Sequence, residues 1–102
     1  MIKNTSLINT IRRNVNMYVI VTYDVNRKRV GKIMKICRKY MMHIQKSVFE
    51  GKLTEATLAR LKNELRKVIQ VNEDSICIYQ IESLKYAKKQ QLGIVEEFSN
   101  VI

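Results

Sequence analysis

The sequence predicts a single α+β domain in which two helices pack on one face of one β-sheet. Two segments, Met17 to Val25 and Ser75 to Ile81, are rich in the β-branched and aromatic residues that favour strands. Two other segments, near 27–41 and 54–69, carry apolar residues at helical spacing. A chain of 102 residues is long enough for one modest core and too short for two.

The first predicted strand reads MYVIVTYDV and ends in the carboxylate of Asp24. Six of the seven residues from Met17 to Tyr23 are apolar or aromatic, which is typical of a strand covered on both faces. An unpaired carboxylate is too costly to place inside such a core. We therefore expect Asp24 at the end of the sheet, facing solvent, a metal or a partner. On the residues alone, a turn or helix-cap role fits Asp24 as well.

A helix is predicted to follow from about Arg27 to Met41, with Asn26 or Asp24 as its cap. One side of this helix is apolar, and the other side carries lysines at positions 28, 32, 35 and 39. Charges of a single sign at this spacing repel one another and gain nothing from pairing within the helix. Most charged helix faces are simply solvated, but this one favours an external anionic partner.

The remaining elements are predicted in the order strand, helix, strand. His43 to Thr54 contains one kinked strand or two short ones, with a bend or bulge at Glu50 and Gly51. The second helix begins near Thr54 or Glu55 and exposes a face of mixed charge. Ser75 to Ile81 is the last firm strand, and Gly93 to Val95 favours a short terminal one.

The resulting β-α-β-β-α-β order is that of a ferredoxin-like sandwich. Both helices have one apolar face, so both cover the same side of the sheet and the other side needs a partner. We expect a homodimer with the two sheets packed face to face. Residues 1–16 are interpreted as an N-terminal extension, 17–82 as the ferredoxin-like domain and 83–102 as a C-terminal segment.

The net charge of +10 is confined to the first half of the chain. Residues 1–49 hold eleven Lys or Arg and one acid, whereas residues 50–102 hold eight of each sign. This asymmetry indicates a polyanion-binding protein more than a general solubility charge. An RNA-recognition-motif reader shares the predicted topology, but the aromatic pattern of its strands is missing.

A membrane partner and a secreted location are both disfavoured. No apolar run approaches the ~20 residues needed to span a bilayer, and the N-terminus lacks the apolar core of a signal peptide. The default location is therefore the cytoplasm. Cys37 and Cys77 each lie in an apolar pattern, away from other metal-ligating residues, so both are predicted to be buried.

Three segments together resemble the family of small CRISPR adaptation proteins known as CRISPR-associated endoribonucleases. They are the opening strand MYVIVTYDV, the central QKSVFEG from Gln45 to Gly51, and EDSICIYQI from Glu73 to Ile81. The resemblance implies a prokaryotic, ferredoxin-like homodimer whose C-terminal strand crosses to the partner's sheet, a role available to Ile94 and Val95. It also implies a metal-dependent phosphodiesterase acting on RNA or DNA, and a bridging role with the larger integrase subunit in spacer acquisition.

The resemblance also assigns roles to individual residues. Asp24 matches the metal-binding aspartate of the family. The predicted catalytic set, which includes the matched SVF residues, is Asp24, Tyr23, Ser47 and Phe49. The predicted nucleic-acid contacts are Arg27, Lys28, Arg29, Lys32, Lys35, Arg38, Lys39 and Lys46. His43 stands where some members have arginine, and the turn after Asp24 lacks the extra acids that many members carry.

The predicted chemistry is hydrolysis of a phosphodiester bond assisted by Mg²⁺ or Mn²⁺. Mg²⁺ needs only one or two protein carboxylates besides water and phosphate. Two copies of Asp24 facing each other across a twofold axis satisfy that need, so we expect one ion shared by the dimer. A second reading stays open, in which the protein is a scaffold that holds duplex DNA by its phosphates while a partner performs the chemistry.

Overall fold

The computed structural model describes residues 16–81 and 89–93. The elements are β1 (Met17–Asp24), α1 (Arg27–Arg38), β2 (Met42–Gln45), β3 (Val48–Leu53), α2 (Glu55–Val68) and β4 (Ser75–Ile81). Most of the predicted N-terminal extension, and Ile94 and Val95 of the predicted terminal strand, lie outside the described residues.

The four strands form one antiparallel sheet in the order β2-β3-β1-β4. At its centre, Val19 of β1 lies opposite Gly51 of β3 on one side and Gln80 of β4 on the other. With the two helices inserted after β1 and β3, this is the ferredoxin-like topology, and the predicted fold class is confirmed. Among the described strands, β4 stands at one edge of the sheet and pairs with β1.

The core lies between the sheet and the two helices. Alternate residues of β1, from Met17 to Tyr23, are buried on that side, where they meet residues such as Ile33 of α1 and Leu61 of α2. The intervening residues, Tyr18 and Ile20 among them, are only half-buried on the opposite side. The two helices therefore cover one face of β1, and we call the other, which no described helix covers, the open face of the sheet.

Both helices begin at a side-chain cap, which satisfies amide groups that have no partner within the helix. The Asn26 side chain accepts a hydrogen bond from the Lys28 amide at 3.0 Å, and Thr54 Oγ1 accepts one from the Thr57 amide at 3.2 Å. Of the two predicted caps for α1, Asn26 serves. Within the described ranges, neither helix is long and apolar enough to cross a membrane.

Two boundaries differ from the prediction. α1 ends at Arg38 instead of Met41, because the amides of Tyr40 and Met41 both turn back to the Cys37 carbonyl before the chain enters β2. The irregularity predicted at Glu50 and Gly51 falls instead between His43 and Gln45 of β2.

Gly51 lies inside a regular strand for a packing reason. A β-carbon at this position would lie 3.3 Å from the Cα of Met41 and 3.4 Å from the carbonyl oxygen of Tyr40. The glycine thus permits the close approach of the segment that links α1 to β2, which is a common use of glycine within strands.

The two cysteines occupy different environments. Cys37 is fully buried in the core, and burial raises the pKa of its thiol to about 12. Cys77 lies opposite Thr22 on the open face and is exposed. The prediction that both cysteines are buried is therefore wrong for Cys77. Alternate residues of β4 point to opposite sides of the sheet, and Cys77 points to the open face instead of the core.

Candidate functional site at the end of the first strand

Asp24 is the last residue of β1 and is exposed. By strand alternation it belongs to the same side as Tyr18, Ile20 and Thr22, which is the open face. Its neighbour across the sheet is Ser75, the first residue of β4. The predicted metal ligand thus stands at the end of the sheet, on the open face.

The turn between β2 and β3 lies directly beside this strand end. The Tyr23 amide donates to the Ser47 carbonyl at 3.1 Å, and the Tyr23 hydroxyl donates to the Lys46 carbonyl at 3.1 Å. The Lys46 carbonyl also lies 3.2 Å from His43 Nε2, a distance at which the imidazole N–H donates to it. These contacts hold Lys46 and Ser47, in the turn of the β2–β3 hairpin, against Tyr23, the residue that precedes Asp24.

Three buried rings support that turn from beneath. The His43 ring stacks on Phe49 with centroids 4.4 Å apart, and Tyr23 lies 6.2 Å from Phe49. Phe49 is fully buried and Tyr23 is 6% exposed, so neither ring offers a surface to a large substrate. Burial also raises the pKa of the Tyr23 hydroxyl above its ordinary value. Of the predicted catalytic set, Asp24 is exposed, Ser47 is half-buried, and the two aromatic residues support the turn.

A buried carboxylate, Asp74, lies on the other flank of Asp24. Its Oδ1 accepts hydrogen bonds from the Asn26 amide at 2.9 Å and from Arg29 Nη2 at 3.0 Å. Its Oδ2 accepts from the Gln70 amide at 2.8 Å and from Arg29 Nε at 2.5 Å. The hydrogen bonds from the Arg29 guanidinium have the largest effect on the pKa of Asp74 and lower it. Burial acts in the opposite direction, the amides of Gln70 and Asn26 lower the pKa further, and the result lies well below the usual range of an aspartate.

The predicted nucleic-acid contacts divide into three groups. The side chains of Arg29 and Lys39 are engaged by acids, because Arg29 meets Asp74 and Lys39 forms an ion pair with Glu64 of α2. Arg38 is half-buried, and its Nε has no hydrogen-bond partner among the described residues. The remaining members are exposed: Arg27, Lys28, Lys32, Lys35 and Lys46. Four of these lie on α1, in the layer opposite the open face.

The open face carries an apolar cavity of about 560 Å³. Its lining includes Tyr18, Ile20 and Val48, and residues 89–91 lie at its rim. Glu50 lies in this cavity and pairs with Lys89 across 2.7 Å. Burial, followed by a hydrogen bond to Glu50, raises the pKa of the Tyr18 hydroxyl to about 12. Among the described residues, this face therefore combines apolar side chains with the Glu50–Lys89 ion pair.

The exposed carboxylate of Asp24 is the donor that this strand end offers to a divalent cation. Within the part of the chain that the structure describes, no three His, Cys, Asp or Glu residues cluster to hold a metal. Asp74 already accepts four hydrogen bonds, so its oxygens are engaged. A hard cation that keeps most of its waters fits a single Asp24 per chain and would require little else from the protein.

Comparison with known proteins identifies the family. A family model for "CRISPR associated protein Cas2" matches residues 17–89. A CRISPR-associated endoribonuclease Cas2 from Dictyoglomus turgidum is 46% identical over 78 residues, which cover 76% of this chain and 90% of that protein. A second protein of that name, from Thermodesulfovibrio yellowstonii, is 46% identical over 85 residues, covering 83% of this chain and 97% of the relative.

Solved structures agree with this match. A crystal structure of Cas2 superposes with a TM-score of 0.73 at 36% identity, covering 85% of this chain and 98% of that one. Streptococcus pyogenes Cas2, crystallised at pH 6.5, superposes with a TM-score of 0.68 at 36% identity, covering 76% and 100% of the two chains. The matched region spans the strand end, the neighbouring turn and both helices. This chain therefore belongs to the Cas2 family of CRISPR-associated proteins.

Proposed function

We propose that this chain is a homodimeric, nucleic-acid-binding subunit of a prokaryotic, cytoplasmic spacer-acquisition complex with metal-dependent endonuclease activity through Asp24. The observation that carries this proposal is the position of Asp24, exposed at the end of β1 on the open face of the sheet. The names of the relatives as endoribonucleases and the family match support it.

The homodimer follows from the apolar open face. The half-buried side chains of Tyr18, Ile20 and Val48 form an apolar patch around the 560 Å³ cavity. A second copy packed face to face removes this patch from water, and a twofold arrangement is the commonest way for identical chains to do so. Because Asp24 belongs to the same face, a twofold axis near the ends of the β1 strands brings the two carboxylates together.

The pair of Asp24 carboxylates would hold one Mg²⁺ or Mn²⁺ together with a phosphate oxygen of the substrate. A bound divalent cation supplies charge neutralisation and a more acidic water for phosphodiester hydrolysis. The turn at Lys46 and Ser47 is hydrogen-bonded to Tyr23, the residue before each Asp24, so the Lys46 ammonium and the Ser47 hydroxyl would be available to orient the substrate phosphate. Tyr23, His43 and Phe49 contribute by fixing that turn, through the two contacts to the Lys46 carbonyl and the ring stack.

The edge strand β4 favours the predicted exchange of C-terminal strands. No described strand pairs with its outer edge, and its sequence, SICIYQI, contains no proline or charged residue to discourage pairing. We propose that Ile94 and Val95 of the partner pair with this edge, which would strengthen the dimer without changing the position of Asp24.

A scaffold function is the second candidate, and the outward lysines of α1 favour it. In a face-to-face dimer the two α1 helices lie on the outer surfaces, where exposed Lys28, Lys32 and Lys35 face a ligand and not the partner. Such a surface holds duplex DNA by its phosphates, while the larger integrase subunit carries out integration.

The Asp24→Asn variant separates the two candidates. It preserves the side-chain shape and removes the charge that a divalent cation requires. We expect it to dimerise and bind DNA as the wild type does and to lose Mn²⁺-dependent cleavage of single-stranded RNA and duplex DNA by at least about a hundredfold. Cleavage at the wild-type rate by a purified, dimeric variant would contradict the nuclease proposal. A parallel spacer-acquisition assay then reports whether cleavage matters to the complex, since acquisition persists if the protein is a scaffold.

A further inference from the structure

We propose that Arg29 and Asp74 form a positioning clasp for Asp24, so that Arg29 acts through Asp74 and not by contacting nucleic-acid phosphate. This inference rests on the proposed function for its catalytic consequence only. The clasp consists of the four hydrogen bonds that the Asp74 carboxylate accepts, two from Arg29 and one each from the amides of Asn26 and Gln70.

The clasp joins the start of α1, which follows Asp24 in the chain, to the residue that precedes β4. Asn26 follows Asp24 by two residues and caps α1, while Arg29 lies in the first turn of that helix. Asp74 immediately precedes Ser75, which is the neighbour of Asp24 across the β1–β4 ladder. The same carboxylate therefore fixes the chain just after Asp24 and the chain just before its cross-strand neighbour, and these two constraints define where β1 ends.

Burial separates this carboxylate from an ordinary surface ion pair. The Asp74 side chain is 0% exposed and the Arg29 side chain 16% exposed. Charge-assisted hydrogen bonds in which both partners are ionised are stronger and more directional than neutral ones. Arg29 engages Asp74 through Nε and Nη2, a fork that lysine does not reproduce.

The competing role, a phosphate contact by Arg29, conflicts with the direction of its guanidinium. Nη2 is shared between Asp74 and Glu73, the latter at 3.2 Å, so two acids already face it. A nucleic-acid phosphate would approach a group whose charge is offset by these two carboxylates. Lys32, by contrast, is exposed on the same helix and is a suitable comparison for a phosphate contact.

The first test measures how DNA affinity depends on salt for Arg29→Gln and Lys32→Gln. A lysine or arginine that contacts one phosphate contributes about 0.9 to the slope of log affinity against log salt for duplex DNA. We expect Lys32→Gln to lose about that amount and Arg29→Gln to keep the wild-type slope. A loss by Arg29→Gln equal to that of Lys32→Gln would overturn the proposal. This measurement does not depend on nuclease activity.

The second test compares Arg29→Lys, Asp74→Asn and Glu64→Gln in Mn²⁺-dependent cleavage. Loss of a group that orients a metal ligand typically lowers activity by about 10- to 100-fold. We expect that loss in kcat for Arg29→Lys and Asp74→Asn, with KM unchanged, because the substrate-binding lysines are intact. Glu64→Gln removes an interhelical carboxylate far along the chain from Asp24 and should retain the wild-type kcat. Full activity of Arg29→Lys would overturn the clasp, since a point charge would then suffice.

A third measurement keeps the two proposals distinguishable. The Asn26 amide donates a hydrogen bond to the Asp74 carboxylate. Its hydrogen exchange should therefore accelerate at least about tenfold in Asp74→Ala, while amides in the centre of β1 keep their protection. If Asp24→Asn retains cleavage, the nuclease proposal fails, and the salt slope and this exchange rate still decide the clasp. Unchanged exchange at Asn26 would contradict it.

Discussion

Neutralising Lys28, Lys32 and Lys35 together should weaken the salt dependence of DNA binding by a calculable amount. All three are exposed on α1, at spacings of four and three residues that place them along one side of the helix. Each phosphate contact contributes about 0.9 to the salt slope, so removing three contacts lowers the slope by about 2.7 per chain. Between 50 and 200 mM salt, the wild type should then lose about 40-fold more affinity than the triple glutamine variant.

Fluorescence anisotropy of a labelled duplex at four or five salt concentrations measures this slope. The matched control replaces Arg60, Lys62 and Lys67 of α2 by glutamine, which removes the same number of charges from the same helical layer. We expect the control to change the slope by less than about 1, because that helix mixes both signs of charge. An unchanged slope in the α1 variant, or an equal loss in both variants, would refute the assignment of the basic surface to α1.

Further predictions concern the packing of the domain. Gly31 is an exposed residue within α1, where an added β-carbon would meet no described atom from outside the helix within 4 Å, so Gly31→Ala should raise the free energy of unfolding by about 0.5–1 kcal/mol. Gly51→Ala should lower it by about 1 kcal/mol or more, because the new β-carbon meets Met41, and urea denaturation giving the same sign for both would contradict this. In a Cys77→Ser background, Cys37 should react with iodoacetamide only as fast as the chain opens. At pH 8 a thiol with its pKa raised to about 12 is about one ten-thousandth thiolate, so rapid labelling without unfolding would be inconsistent with its burial.

Local patterns predicted most of the fold. The β-branched and aromatic content of β1 and β4 located both strands, and β4 runs from Ser75 to Ile81 as predicted. The helical periodicity located α1 and α2, and Asn26 caps α1 as one of the two residues proposed for that role. These features depend on neighbours a few positions away in the sequence, and such interactions can be read from a single chain.

Contacts between distant segments were beyond the sequence pattern. Arg29 and Asp74 are 45 residues apart, and Lys39 and Glu64 are 25 residues apart. Sequence pattern alone therefore included both cations among the predicted nucleic-acid contacts. In the folded protein the charge is distributed more evenly than along the sequence, because Asp74 and Glu64 of the second half form ion pairs with Arg29 and Lys39 of the first half. The residues of α1 that keep exposed charges could only be identified once these pairs were known.

The candidate site divides along the same line. Asp24 was predicted at the end of the sheet because a carboxylate after a buried strand has few other places to lie, and it is there. Phe49 was included in the catalytic set by resemblance alone, and its burial makes it a support for the turn at Lys46 and Ser47. The role of His43 in that turn depends on its contact with the Lys46 carbonyl, which no periodicity predicts.

Counting bound Mn²⁺ tests directly whether two Asp24 carboxylates share one divalent cation. Electron paramagnetic resonance during titration of the protein, with the mass of the complex checked by light scattering, gives the number of ions per dimer. We expect one Mn²⁺ for every two chains, and loss of that binding in an Asp24→Asn variant that still dimerises. One ion per chain, or the same binding in the variant, would contradict it.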